Sequence, residues 1–192
     1  MFNILLDPLP DSWNGYPIDT DFQTGILISQ CLEDPDLSSR EKVYTALGML
    51  FPDEKNRPPL EEAQKALAWW MSEFDHDNHE GQKGGKRVID FDVDQWRIYA
   101  AFLAQYHIDL NSTKLHWFTF MGLWANLEEC SFSRVVDIRK RKITGKMSRE
   151  ERAYLKEAKK IYGLESVQEQ LSEEQKARQA EALEEFNRLR GF

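Results

Sequence analysis

The stretch that decides the fold spans residues 90–127 and reads DFDVDQWRIYAAFLAQYHIDLNSTKLHWFTFMGLWANL. Two helical patterns, joined by a polar break at residues 109–113, share its nine aromatic residues. These are Phe91, Trp96, Tyr99, Phe102, Tyr106, Trp117, Phe118, Phe120 and Trp124. A segment this apolar is expected to bury both helices. Because it holds no cluster of catalytic side chains, it predicts a protein that works by packing against another molecule.

The first of the two patterns predicts a helix over residues 92–106, with Asp92 and Gln95 as a capping box. Its most apolar face consists of Val93, Trp96, Tyr99, Ala100, Leu103 and Tyr106. The opposite face carries Ile98, Ala101 and Phe102, so this helix is expected to be buried on all sides. The second helix is expected over residues 114–127, and a helix over residues 60–74 is expected to embrace both.

Local signals predict a hairpin and further helices around this core. The hairpin spans residues 12–18, where Asn14-Gly15 favours the positive φ angles of a type I′ turn. Helix N-termini are predicted at Thr20, Ser38 and Ser148, because Gln or Glu follows each of them three residues later.

The fold class is therefore mostly α, a compact domain of seven or eight helices with a small N-terminal β-hairpin. This single domain is expected to span residues 1–163. A charged helical extension is expected over residues 164–192, where good helix formers carry only a thin apolar stripe.

The composition of the chain limits the kinds of partner that it can bind. The chain carries 25 basic and 33 acidic side chains, for a net charge of −8. An acidic chain repels phosphate backbones, so we expect no nucleic-acid binding. The charge is uneven, since residues 133–146 hold six bases and only one acid, Asp137. That segment is the one candidate anion site, although a solvated helix end explains it more simply.

Cysteine use and hydropathy indicate a reducing compartment and no membrane attachment. Cys31 and Cys130 are far apart in apolar contexts, which fits a reducing cytoplasm better than a disulfide framework. The N-terminus, MFNILLDPLPD, lacks a basic region, and its apolar run is too short for an export signal. No stretch approaches the roughly 20 apolar residues needed to span a bilayer.

The polar loop over residues 75–87 offers the best place for a metal ion. His76 and His79 stand three apart among acids, but the residues complete neither a calcium loop nor a four-ligand zinc site. The glycines before Lys86 do not form a phosphate-binding loop, because Glu80 stands where the first glycine is required. We therefore expect no metal and no cofactor.

The histidines and acids of the central stretch have structural explanations. His107 and His116 flank the polar break, and no serine or cysteine motif supplies a nucleophile. A histidine beside a tryptophan is usually a helix cap or a half-buried core residue. Asp90, Asp92 and Asp94 lie at a helix N-terminus, where carboxylates interact favourably with N–H groups and the helix dipole. No catalytic residue is predicted.

The number of aromatic rings makes a contact surface the leading kind of site. Adjacent residues on a helix point about 100° apart, so Trp69 turns toward the rim if Trp70 lies in the core. Large aromatic side chains at rims are enriched in interfaces. The candidate partner-binding residues are Trp69, Trp70, Trp96, Tyr99, Tyr106, His116, Trp117 and Phe120.

The same central stretch resembles a known family. It meets the pattern D-F-x-x-D-x-x-x-I-Y-A-A-F-x-x-Q-Y-x-I-D-L from Asp90 to Leu110, and then L-H-W-x-x-F from Leu115 to Phe120. This pattern is that of the bacteriophage gene-product-fifteen family of long-tailed phages and prophages of Gram-positive bacteria. The resemblance covers residues 8–163. One departure is His107, which stands where glycine would be usual.

The resemblance implies a non-enzymatic tail-assembly chaperone. Such proteins coat the tape-measure protein, the helical rod that sets tail length, and keep it soluble until tail-tube subunits polymerise around it. The implied partners are the tape-measure protein, the tail-tube protein and further copies of this chain. The resemblance also implies the host cytoplasm as the location, absence from the mature virion, and no catalytic residue or cofactor.

Two other classes of function stay open at this point. One is a structural virion component, such as a tail-completion or connector protein, which purified particles would contain in quantity. The other is a metal-dependent hydrolase that uses His76, His79 and nearby acids, which would require a stoichiometric metal ion.

Overall fold

The computed structural model describes residues 3–72 and 87–164. Over these ranges the chain is mostly helical, with seven α-helices and one small hairpin, as the sequence predicts. The loop predicted over residues 75–87 lies outside the described residues except for Arg87. The predicted C-terminal extension lies outside them except for Leu164.

The elements follow one another in a simple order. The hairpin strands are β1 (Ser12–Trp13) and β2 (Tyr16–Pro17). The helices are α1 (Phe22–Glu33), α2 (Ser39–Leu50), α3 (Leu60–Ser72), α4 (Phe91–Tyr106), α5 (Trp117–Ala125), α6 (Ser131–Lys140) and α7 (Arg149–Tyr162), and a 3-10 turn lies at Glu54–Asn56.

The predicted hairpin forms, with the turn conformation that its two central residues favour. β1 and β2 are antiparallel, with Trp13 opposite Tyr16. Asn14 and Gly15 have φ angles of +50° and +84°, the left-handed values that a type I′ turn needs at both central positions. This prediction is confirmed.

The predicted helix caps are confirmed where both capping partners lie three residues apart and, among the described residues, form no bond to a distant segment. Ser38 and Ser148 both form reciprocal capping boxes, with Glu41 and Glu151 respectively. The predicted cap at Thr20 is wrong, because Asp21 caps α1 by accepting a hydrogen bond from Gln23. The carbonyl of Thr20 instead accepts the N–H of Trp117 at 2.8 Å.

The N-terminus of α4 is also shifted from its predicted position. The Asp90 carboxylate accepts the N–H groups of Asp92 and Val93 at 2.9 and 3.0 Å. Asp90 therefore does the capping that the sequence assigned to Asp92, and the helix begins one residue earlier than predicted.

The residue that follows α4 has a backbone conformation that favours glycine, the residue usual at this position in the family that the sequence resembles. His107, directly after the helix, has a φ of +55°. This left-handed conformation costs an ordinary residue roughly 1–2 kcal/mol and is the one that glycine adopts freely at helix ends. His107 adopts this conformation despite its cost, and its side chain is exposed to solvent.

The described residues fall into two compact units. The first contains residues 3–72 and 102–128, and the second contains residues 87–101 and 129–164. Helix α4 contributes to both. The single domain expected over residues 1–163 stays a prediction.

In the first unit, α1 packs against α2 and α5, and α2 packs against α3. The Phe120 ring stacks on Phe22 and on Phe102, with both centroid distances at 5.0 Å. Helix α3 contributes Trp69 and Trp70, whose rings lie 5.2 and 4.9 Å from that of Phe118. The sequence placed the two aromatic helices at the core with α3 around them, and Phe102 of α4, Phe120 of α5 and Trp70 of α3 are all buried. Helix α1, which packs against α5, was not predicted as part of that core.

In the second unit, α6 packs against α7. The buried apolar residues of these two helices are Phe132, Val135, Val136, Leu155 and Ala158. A buried carboxylate, Asp94, lies in the same unit with no exposed surface. Its partners determine how α4 presents its faces, as described below.

Helices α1 and α5 approach each other closely at Gly25 of α1. A Cβ atom placed there would lie 2.1 Å from the Trp117 ring. The ring is held in place, because its Nε1–H donates to the Trp70 carbonyl at 3.1 Å.

We predict that Gly25→Ala lowers the free energy of unfolding by about 3 kcal/mol or more, since neither the ring nor the backbone can give way. Gly48→Ala is the matched control. Gly48 is also helical, but its nearest neighbour would be 4.0 Å from the new Cβ. It should stabilise the protein by about 0.5–1 kcal/mol through helix propensity. Urea unfolding of both variants tests this, and equal effects would contradict it.

Candidate partner-binding surface

The Asp94 carboxylate is the centre of a buried polar cluster in the second unit. Both of its oxygens accept hydrogen bonds from the guanidinium group of Arg139, the Nη2 contact measuring 3.0 Å. Arg97 adds a longer contact at 3.3 Å, and the N–H of Asp90 donates to the same carboxylate at 3.2 Å. The Asp94 side chain is 0% exposed and that of Arg139 is 4% exposed. A buried charge must be paired in this way, because desolvation of an isolated carboxylate is very costly.

Arg139 also forms hydrogen bonds with two other segments, the one before α4 and the C-terminal end of α7. Its Nη1 donates to the carbonyl of Val88 at 3.0 Å, and its Nε donates to the carbonyl of Tyr162 at 2.7 Å. The carbonyl of Arg139 accepts the ammonium group of Lys159 at 2.7 Å. One side chain therefore fixes the segment before α4 and the C-terminal ends of α6 and α7.

The orientation of α4 follows from this cluster. Trp96 lies two residues beyond Asp94 and so points about 200° away from it around the helix. Since Asp94 faces inward, Trp96 faces outward, and its side chain is 73% exposed. The Tyr99 ring lies edge-on to the Trp96 ring, with centroids 6.2 Å apart.

The expectation that α4 is buried on all sides is wrong. The buried face consists of Asp94, Ile98, Ala101 and Phe102, and Leu103 is 42% exposed. The more apolar of the two faces thus carries the exposed residues. The buried ion pair accounts for this, because turning α4 the other way would leave the buried guanidinium group of Arg139 without its carboxylate partner.

The remaining candidate residues lie in the first unit, mostly within the core. Trp70, Trp117 and Phe120 are buried, at 0%, 2% and 0% exposure. Trp69 is half-buried, with its ring 5.0 Å from that of Trp13. The Tyr106 hydroxyl donates to the Leu123 carbonyl at 2.9 Å, and burial raises the pKa of this phenol. Their partner-binding role stays a prediction, and Trp96 is the candidate that presents most of its ring to solvent.

His116 is a helix cap, as its position beside a tryptophan suggested. Its Nδ1 accepts the N–H of Phe118 at 3.0 Å at the start of α5. The Nε2 atom lies 2.9 Å from the Pro10 carbonyl, to which it donates in the neutral tautomer that leaves Nδ1 free to accept. Burial lowers the pKa of this imidazole, while the bond to Pro10 opposes the shift.

The candidate metal loop lies almost wholly outside the described residues, whereas the candidate anion segment lies within them. In residues 3–72 and 87–164, no three His, Cys, Asp or Glu side chains are placed to hold a metal ion. His76 and His79 lie outside these residues. The bases of the candidate anion segment over residues 133–146 differ in their environment. The Arg139 side chain is buried and paired with Asp94, whereas Lys140, Arg141, Lys142 and Lys146 are exposed.

Comparison with known proteins agrees with the central motif. The model of the bacteriophage Gp15 protein family matches residues 5–164. The chain belongs to this family. The resemblance found in the sequence is therefore confirmed, and it places the chain among phage structural or assembly proteins. No curated protein and no solved structure matches the chain. None of the helices described here is long and apolar enough to cross a membrane.

We predict that Arg139→Met lowers the free energy of unfolding by about 3–5 kcal/mol, because it leaves the Asp94 carboxylate buried without its main partner. The matched control is Arg134→Met in the same helix. Arg134 pairs with Glu129, and both side chains are mostly exposed, at 69% and 76%. That change should cost about 1 kcal/mol or less. Denaturant unfolding measures both, and a small effect at Arg139 would contradict the orienting role of the cluster.

A second prediction concerns pH and His116. Because the pKa of His116 is lowered in the folded state, the unfolded chain binds more protons there. The stability it contributes is complete above the ordinary histidine pKa of about 6.5 and is lost as the pH falls through the lower, folded pKa. Between about pH 7.5 and pH 5.5 the wild type should therefore lose more stability than His116→Asn, which keeps a capping oxygen but does not titrate.

The control for this measurement is Gln23→Asn, at an exposed residue of the same unit that carries no titratable group. Its loss of stability with acid should match that of the wild type. If His116→Asn shows the same pH dependence as the wild type, the cap does not depend on a neutral imidazole.

Proposed function

We propose that this protein is a tail-assembly chaperone that binds the tape-measure protein of a long-tailed phage and keeps it soluble until the tail tube forms around it. Family membership supports a role in phage structure or assembly. The observation that carries the more specific proposal is the exposure of Trp96, at 73%, on a helix whose other face is fixed by a buried ion pair.

The exposed face of α4 has the spacing of a helix-recognition surface. Trp96, Tyr99 and Ala100 stand at positions i, i+3 and i+4, the arrangement by which one helix packs against the apolar stripe of another. Asp92 and Gln95 are exposed on the same helix and supply a polar rim. A long helical rod with repeated apolar stripes offers many copies of the complementary surface.

Binding at each site can be weak in this arrangement. A contact centred on one tryptophan is small, but many subunits on one rod raise the effective concentration for each neighbour. The net charge of −8 keeps the coated rod dispersed, since like-charged particles repel. Release then requires only that tail-tube subunits displace one weak contact at a time.

In this role the protein works in the host cytoplasm and leaves before the virion is complete. A structural virion component would instead remain in purified particles at a fixed number of copies. Quantitative peptide counts on purified phage separate the two functions, because a chaperone should be absent or present in traces.

We predict that Trp96→Ser weakens the contact with the tape-measure protein by about 30-fold per site, the effect of losing about 2 kcal/mol at an aromatic hot spot. Co-expression of each variant with the tape-measure protein, followed by measurement of its soluble fraction and of the co-purified chaperone, tests this. Both quantities should fall for Trp96→Ser.

Tyr154→Ser is the matched control. Tyr154 is 67% exposed on α7 in the same unit, so its loss removes a comparable exposed ring elsewhere. Its effect on tape-measure solubility should be negligible. If both variants behave as the wild type does, the Trp96 surface is not the tape-measure contact. If the wild-type chain neither solubilises nor co-purifies with the rod, the chaperone function itself is wrong.

A further inference from the structure

The N-terminal segment carries apolar side chains that are exposed in the part of the chain that the structure describes. Ile4, Leu5 and Leu6 are 49%, 88% and 81% exposed. Leu5 and Leu6 are thus more exposed than Trp96. Clustered exposed hydrophobic side chains of this kind mark interaction sites on soluble proteins.

This segment is folded into a hydrogen-bonded turn. The N–H groups of Leu6 and Asp7 both donate to the carbonyl of Asn3, at 2.9 and 2.8 Å. The Asn3 N–H donates to the Asp7 carboxylate at 2.9 Å, and the Leu5 N–H donates to the Asn3 side chain at 2.9 Å. The turn holds the leucines in a defined place, which lowers the entropy lost on binding.

The sequence that follows these leucines is acidic. Residues 3–36 contain seven acids, namely Asp7, Asp11, Asp19, Asp21, Glu33, Asp34 and Asp36, and no lysine, arginine or histidine. We name the segment Asn3–Asp11 the acidic knob, with Ile4, Leu5 and Leu6 as its apolar tip.

The second unit carries a surface of the opposite character. Residues 140–149 connect α6 to α7 and contain five bases, Lys140, Arg141, Lys142, Lys146 and Arg149, and no acid. All five are exposed, and Ile143 among them is 40% exposed. We name residues 140–149 the basic ridge. The exposed acids Glu150 and Glu151 follow it directly in the first turn of α7.

We propose that the acidic knob of one copy docks on the basic ridge of a second copy. Each surface has an exposed apolar centre and a rim of one charge, and the two charges are opposite, which is the complementarity that steers association and fixes its register. Because the two surfaces are different, the contact is heterologous, and repetition of it generates a ring or an open helical array.

This inference deepens the proposed function, since subunits that coat a rod gain from contact with their neighbours. It is tested without any tape-measure protein, so that either proposal can fail alone. The test is sedimentation velocity of the purified full-length chain over a range of concentrations. Measurements at about 0.1 M and about 1 M salt compare Debye lengths of about 10 Å and about 3 Å.

The wild type should exceed the mass of the 22.6 kDa monomer as its concentration rises, and less so at high salt. Leu5→Ser/Leu6→Ser and Lys142→Glu/Lys146→Glu should each weaken association at least about tenfold, the effect of losing about 1.4 kcal/mol. Adding Asp11→Lys to the second variant should recover part of the association, because it restores opposite charges. Unchanged urea midpoints show that these exposed substitutions leave the fold intact.

The matched control is Lys55→Glu/Lys114→Glu, which changes the net charge equally at two exposed lysines outside the ridge and should associate as the wild type does. A monomer at every concentration overturns the proposal, and so does association that neither the knob nor the ridge variant weakens. Binding of a short DNA duplex is measured alongside. If Lys142→Glu/Lys146→Glu abolishes DNA binding and leaves self-association unchanged, the ridge is a phosphate-binding surface and the proposal is wrong.

Discussion

The buried carboxylate of Asp94 decides which face of α4 is available for binding. A buried ion pair adds little net stability compared with apolar residues of the same size, but breaking it is costly. Here the ion pair matters because it fixes the rotation of α4 about its own axis. The fork from Arg139 keeps Asp94 inside, and helix geometry then directs Trp96 outward. The Trp96 side chain stays in water because burying it would rotate Asp94 away from Arg139 and leave that buried guanidinium group unpaired.

The first unit shows why most of the aromatic rings are not available to a partner. Gly25 lets the Trp117 ring approach the α1 backbone, and the ring is then fixed by its bond to the Trp70 carbonyl. His116 begins α5 and is bonded through both ring nitrogens. Rings committed in this way define the core, so the number of aromatic residues in the sequence overstates the size of any contact surface.

The sequence predicted those features that depend on near neighbours. The Asn14-Gly15 turn and the caps at Ser38 and Ser148 are set within a few residues, and all three are confirmed. The orientation of α4 could not be predicted, because both of its faces are apolar and the deciding partner of Asp94 lies 45 positions away. The cap at Thr20 failed for the same reason, since its carbonyl bonds to Trp117 across the first unit. The positive φ angle of His107 was not predicted either, although the sequence departs there from the glycine of the family that it resembles.

Size and charge together limit how such a protein can act. An exposed patch of one tryptophan, one tyrosine and one alanine is far below the roughly 1,200 Å² of total area that a specific, stable complex usually buries. A single copy therefore cannot hold a partner for long, and useful affinity has to come from many copies on one target. Contacts between copies multiply that effect. The contacts proposed between copies use opposite charges and a separate apolar tip, so they would add affinity without a larger apolar patch around Trp96, which would itself promote aggregation.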